Sequence, residues 1–186
     1  MLVIIGKTPE SNFDDPVGML RDCHKRITYF LDSLAFAAKK FAGLPLPLEM
    51  QGSVLNGLRY FREAAPNHSA DEEQSLFPRM RSFINGKQFA SALMQSLEGE
   101  HRWAESLHER VDGLFRKWIA NGSITGEESQ RLVATLSRLQ AFYVVHIRQE
   151  ELAIFPIAEE GLSAAEIAAI GVEMAARRGV DFSPAK

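Results

Sequence analysis

The stretch His68-Ser-Ala-Asp-Glu72-Glu73-Gln-Ser-Leu76-Phe77-Pro78 returns 78 residues later as His146-Ile-Arg-Gln-Glu150-Glu151-Leu-Ala-Ile154-Phe155-Pro156. Both copies read His-x-x-x-Glu-Glu-x-x-(Leu/Ile)-Phe-Pro. Positions i and i+4 share one face of an α-helix, one turn apart. His68 with Glu72, and His146 with Glu150, can thus each bring an imidazole and a carboxylate to one point. A second pair of histidines, His24 and His101, stands 77 residues apart. Each half of the chain is one helix with a histidine on its apolar stripe, then a helix carrying His-x-x-x-Glu.

The surrounding sequence is helical almost throughout. Asp15 as N-cap and Pro16 at the first helical position open a first helix that ends before Gly43. Its stripe is Val17, Leu20, His24, Ile27, Leu31 and Leu34, at bundle spacing. After Leu44-Pro45-Leu46-Pro47, a second helix runs from about Glu49 toward Ala64, where Pro66 should interrupt it. Helix resumes from about His68 toward Ser82, and Asn85-Gly86 is read as a loop. A third helix covers about 88–120, closed by Asn121-Gly122. A fourth starts at the capping box Thr125-x-x-Glu128 and continues to about Phe155, with Pro156 kinking or ending it and Gly161 stopping it. Ser163-x-x-Glu166 opens a shorter fifth helix that Gly179 ends. The expectation is an all-α protein, an up-and-down antiparallel four-helix bundle with an additional short C-terminal helix. Its parts would be an N-terminal extension at 1–13, the bundle at 14–160, and the C-terminal helix and tail at 161–186.

Four histidines and at least two carboxylates then converge on the bundle interior. Dry and unpaired, each would cost several kcal/mol, so something must satisfy them. Mixed imidazole and carboxylate donors suit iron or manganese, and zinc less specifically. Two carboxylates shared between two metals, with two histidines each, leave vacant positions for dioxygen, peroxide or nitric oxide. A lone histidine on an apolar stripe is ordinarily a satisfied core residue, and it is the duplication that argues otherwise for His24 and His101. Glu73 and Glu151 lie about 100° round the helix from the ligand face and read as supporting or solvated groups. Glu105, one turn from His101 in the stripe Met94, Leu97, His101, Glu105, His108, Phe115, reads equally as ligand or core-edge charge. His108 reads as a half-exposed histidine or a channel residue. Tyr60, Tyr143 and Trp103 are core aromatics that can also line the site, and Cys23 is structural.

Composition excludes several other classes. Twenty-one basic against 24 acidic residues give a net charge of −3, which is not the basic surface of a nucleic-acid binder. One cysteine makes no intrachain disulfide and no thiolate cluster. No apolar run approaches the roughly 20 residues needed to span a bilayer, and the N-terminus has no basic region of a signal peptide. The expectation is a cytoplasmic monomer or homodimer that contacts neither nucleic acid nor membrane. Ferritin-like di-iron sites need Glu-x-x-His on two different helices. Here Glu98-x-x-His101 and Glu105-x-x-His108 both fall on the third.

Over about residues 14–160, His24, His68-x-x-x-Glu72, His101 and His146-x-x-x-Glu150, with Phe-Pro after each motif, resemble the hemerythrin-like, or HHE cation-binding, family. The resemblance implies two iron ions in an oxo- or hydroxo-bridged centre, with manganese or zinc as substitutes. Glu72 and Glu150 would bridge, and His24, His68, His101 and His146 would be terminal ligands. Oxygen-carrying hemerythrins have His-x-x-x-His on the third helix and an aspartate bridge, whereas this chain has His101-x-x-x-Glu105 and Glu150. It looks more like the bacterial branch linked to nitric oxide or peroxide handling, iron sensing and iron–sulfur cluster repair. The repair proteins carry an additional cysteine-containing N-terminal region, and no cysteine lies in the 13 residues before the first helix. The functions implied are a sensor of a small oxidant or gas, an oxidoreductase acting on peroxide or nitric oxide, or an iron reservoir.

Overall fold

The computed structural model describes residues 10–84 and 88–184. The Asn85-Gly86 loop and most of the N-terminal extension lie outside them. Among the described residues five helices build the protein, and no strand occurs. Helix α1 is Pro16–Lys40, capped by Asp15, whose side chain accepts from the Gly18 amide. Helix α2 covers 48–83, α3 is Gln88–Asn121, α4 covers 126–161 and α5 is Ala164–Arg177. Both capping boxes form, Thr125 with Glu128 and Ser163 with Glu166. Helices α1 to α4 pack in a ring, each against the next and α1 against α4. None is long and apolar enough to cross a membrane.

Pro66 does not interrupt α2, and Pro156 does not end α4. Each proline follows one π-helical turn, Tyr60–Ala64 before Pro66, Glu72–Leu76 before Pro78 and Glu150–Ile154 before Pro156. A helical proline lacks an N–H, and its ring meets the carbonyl four residues back. The wider turn evades both problems. The residue before each proline donates to the carbonyl five back, Ala65 to Tyr60, Phe77 to Glu72 and Phe155 to Glu150. The extra residue also rephases the helix, so inward-facing Glu72 is followed by buried Leu76, Phe77 and Met80.

The core is split. One apolar cluster includes Ile27, Leu31, Leu58, Phe61, Leu107, Phe115, Trp118, Leu132 and Leu139. The other includes Val17, Leu20, Leu76, Phe77, Met94, Leu97, Ile154 and Phe155. Along every bundle helix the histidines and glutamates of the repeat fall between the two. Ile170 and Met174 of α5 complete the second cluster, so this helix covers its own bundle. Gly171 permits close docking there, because a Cβ would lie 1.9 Å from the Phe13 carbonyl oxygen.

The α5 helix is also held by charge. Fully buried Asp71 accepts from Arg177 at 2.8 Å and from Arg178 at 2.6 Å, while Arg79 and Ser75 bind Glu173. These contacts grip the turn of α2 that carries Glu72.

Candidate metal centre

His24 of α1, His68 and Glu72 of α2, His101 of α3, and His146 and Glu150 of α4 meet in the polar layer. Both glutamates are 0% exposed, and His24, His68 and His146 are buried. Donor atoms of His24, His68, Glu72 and Glu150 all lie within 4.8 Å of one another, as do those of His101, His146 and Glu150. Glu150 is common to both groups. Its carboxylate oxygens lie 3.0 Å from His24 Nε2 and 3.0 Å from His146 Nε2. The Glu72 oxygens lie 3.7 Å from His68 Nε2 and 3.3 Å from His101 Nε2.

These close approaches are not hydrogen bonds. All four carboxylate oxygens of Glu72 and Glu150, and His24 Nε2, are buried without a hydrogen-bond partner. Native interiors rarely leave so many polar atoms unpaired in one place. The lone pairs point at shared space, an arrangement that suits a cation and nothing in the chain itself. The donor set of imidazole nitrogen and carboxylate oxygen fits a first-row transition metal.

The outward nitrogens are held separately. His24 Nδ1 pairs with Glu151 at 2.9 Å, His101 Nδ1 with Glu73 at 2.8 Å and His146 Nδ1 with Glu100 at 2.7 Å. With a metal bound, Nδ1–H donating to a carboxylate would leave each ring's Nε2 lone pair turned inward to the ion. Glu73 and Glu151 thus support histidines on a neighbouring helix. Sequence reading missed Glu100, for which the repeat gives no signal, because Cys23 stands at the corresponding place before His24. His68 Nδ1 has no partner.

The electrostatics follow from crowding two acids and four imidazoles together. Burial, then the neighbouring Glu150, pushes the Glu72 carboxyl well up. Burial also opposes ionisation of Glu150, but the imidazoles of His101, His146 and His24 overcome it and hold that carboxyl well down. Burial and the adjacent His24 push His68 well below the ordinary histidine range, leaving a neutral base. A cation entering here competes with protons for these same donor atoms.

Glu105 is exposed and stands outside both donor groups. The core stripe of α3 continues through Ala104, Leu107 and Val111 instead. Three- and four-residue steps straddle the helical period of 3.6, and burial favours the apolar choice. His108 is directed inward rather than toward solvent. It stacks on Phe61 with ring centroids 3.9 Å apart, and its Nε2 lies 3.0 Å from the Tyr143 hydroxyl. Tyr60 stacks on Phe30, Trp103 packs on Phe142, and Cys23 is buried beside Arg26.

Removing an outer carboxylate is expected to weaken the centre without emptying it. Glu73→Ala frees the His101 ring to rotate, and metal affinity should fall about 10–100-fold. Competition against a chromophoric chelator checks this, and unchanged affinity would make Glu73 a solvated surface group.

A model of the hemerythrin HHE cation binding domain matches residues 15–158. A protein of Haemophilus influenzae bearing the name "Uncharacterized protein" is 32% identical over 178 residues, covering 91% of this chain and 94% of its own.

Proposed function

The chain belongs to the hemerythrin HHE cation-binding family, and from that premise we propose that it holds a pair of iron ions which bind a small oxidant or gas. Its ligands would be His24 and His68 on one side, His101 and His146 on the other, and Glu72 and Glu150 between them, with Glu150 common to both donor groups. The observation that carries this reading is the sharing of one buried, partnerless carboxylate by two donor groups. A closed single-metal site would need neither the second group nor Glu72 beside Glu150.

Iron so held would supply reversible one-electron chemistry and open coordination positions for dioxygen, peroxide or nitric oxide. The chain's own part is orientation and shielding. Glu151, Glu73 and Glu100 fix three imidazoles, and the two apolar clusters keep bulk water from the layer. The cavity lined by His24, His68, His101 and His146 gives a small ligand a route to the donors.

Metal analysis with an optical spectrum tests the reading. Protein purified without chelator and supplied with ferrous iron should hold about two irons per chain, with a visible absorption that changes on adding peroxide or nitric oxide. Zinc alone, or no metal in a fully helical protein, would overturn it.

A further inference from the structure

The four histidines form only one end of a larger space. A cavity of about 510 Å³ extends from them past Tyr143 and His108. A water molecule occupies about 30 Å³, and a diatomic gas or hydrogen peroxide is not much larger. The space exceeds their need on the order of tenfold, and lies in the range of sites for organic molecules. Beyond the histidines its walls include Ile27, Leu34, Leu58, Phe61, Ala104 and Val111, all apolar and buried.

Exposed charged side chains, among them Arg62, Arg102, Glu105 and Glu109, line its outer part, and His108 stands deeper, among the apolar walls. His108 is fixed by its stacking on Phe61 and its hydrogen bond with Tyr143, yet its Nδ1 is buried with no partner. Tyr143 in turn stands edge-on to His146, with ring centroids 6.2 Å apart. The Tyr143–His108 pair therefore continues from the donor cluster into the cavity. Burial pushes His108 down to about 3, so the imidazole is neutral and meets a hydroxyl-type group better than a carboxylate.

We propose that this cavity binds an organic hydroperoxide, with its carbon body against Leu34, Leu58 and Val111 and its oxygens within reach of His108, Tyr143 and the histidine cluster. This rests on the di-iron reading above and names its substrate class. In the reaction the O–O bond breaks. One oxygen stays with carbon as the alcohol and the other leaves as water. Two protons come from solvent, and two electrons come from the ferrous pair, one from each ion.

The full chain is tested in two arms. First, the metal-free protein is titrated with 2-phenylpropan-2-ol, the alcohol derived from cumene hydroperoxide, and followed by methyl NMR. Saturable shifts at Leu34, Leu58 and Val111 are expected, with Val111→Phe weakening binding at least tenfold. Ala104→Leu, a smaller filling of the same space, guards against a variant that fails to fold. Second, the ferrous-loaded protein is mixed with cumene hydroperoxide or with hydrogen peroxide. Oxidation should be at least tenfold faster with the organic compound, and Val111→Phe or Ala104→Leu should bring the two rates together. No saturable shift, or equal rates in the unaltered chain, overturns the proposal. A chain that takes no iron overturns the di-iron reading instead, and the alcohol titration still judges the cavity.

Discussion

A chain carrying Glu150→Gln is expected to lose both metal ions together, while His68→Ala loses one. Glu150 is the only residue that enters both donor groups among the described residues. Its carboxylate is ionised because three imidazoles outweigh its burial. The amide keeps the shape but removes the charge, and it turns an N–H₂ donor toward nitrogens that are meant to face a cation. His68 belongs to one group, so its removal leaves His101, His146 and Glu150 in place. Metal content per chain should fall from about two to near zero in the first variant and to about one in the second. Circular dichroism should remain helical in both, because the apolar clusters on either side are untouched. Two ions retained in Glu150→Gln would mean that the carboxylate does not bridge.

The second large effect concerns stability. Replacing Arg177 and Arg178 together by methionine strands Asp71, which is 0% exposed and 2.8 and 2.6 Å from their guanidiniums. Breaking a buried ion pair from one side costs about 3–5 kcal/mol. For a protein of this size, each kcal/mol is about 2–4 °C in Tm, so a fall of roughly 6–20 °C is expected. Asp71→Asn should cost less, because no buried charge is left and the arginines, 18% and 21% exposed, can turn to water. Thermal unfolding of the metal-free forms checks the order. Asp71 directly precedes Glu72, so the double variant should also bind metal more weakly. If the asparagine variant proves the more damaged, the pair does not act as a buried charge couple.

Some of this was legible one residue at a time. His68 and Glu72 lie one helical turn apart, as do His146 and Glu150, so their shared face is a local property of α-helical geometry. The caps at Asp15, Thr125 and Ser163 are equally local, each joining a side chain to an amide three residues on. The apolar stripe of α1 could be read because its period is that of the helix.

Glu73, Glu100 and Glu151 could not be placed in this way. Each supports a histidine on another helix, and how two helices are rotated against each other depends on the whole core. The prolines show the same limit. Local rules say that Pro66 and Pro156 disrupt a helix, but packing on both sides holds the chain in line, and the strain is absorbed as one wide turn. His108 and Tyr143 are 35 residues apart, and the 510 Å³ cavity they line comes into being only when four helices close round it. The sequence by itself determined the helices, their capping and the donor pairs, because those interactions span four residues or fewer. Which carboxylate is shared, which histidine is steadied by which glutamate, and how much room lies beside them were decided by tertiary structure, because they depend on distances between helices that no local spacing encodes.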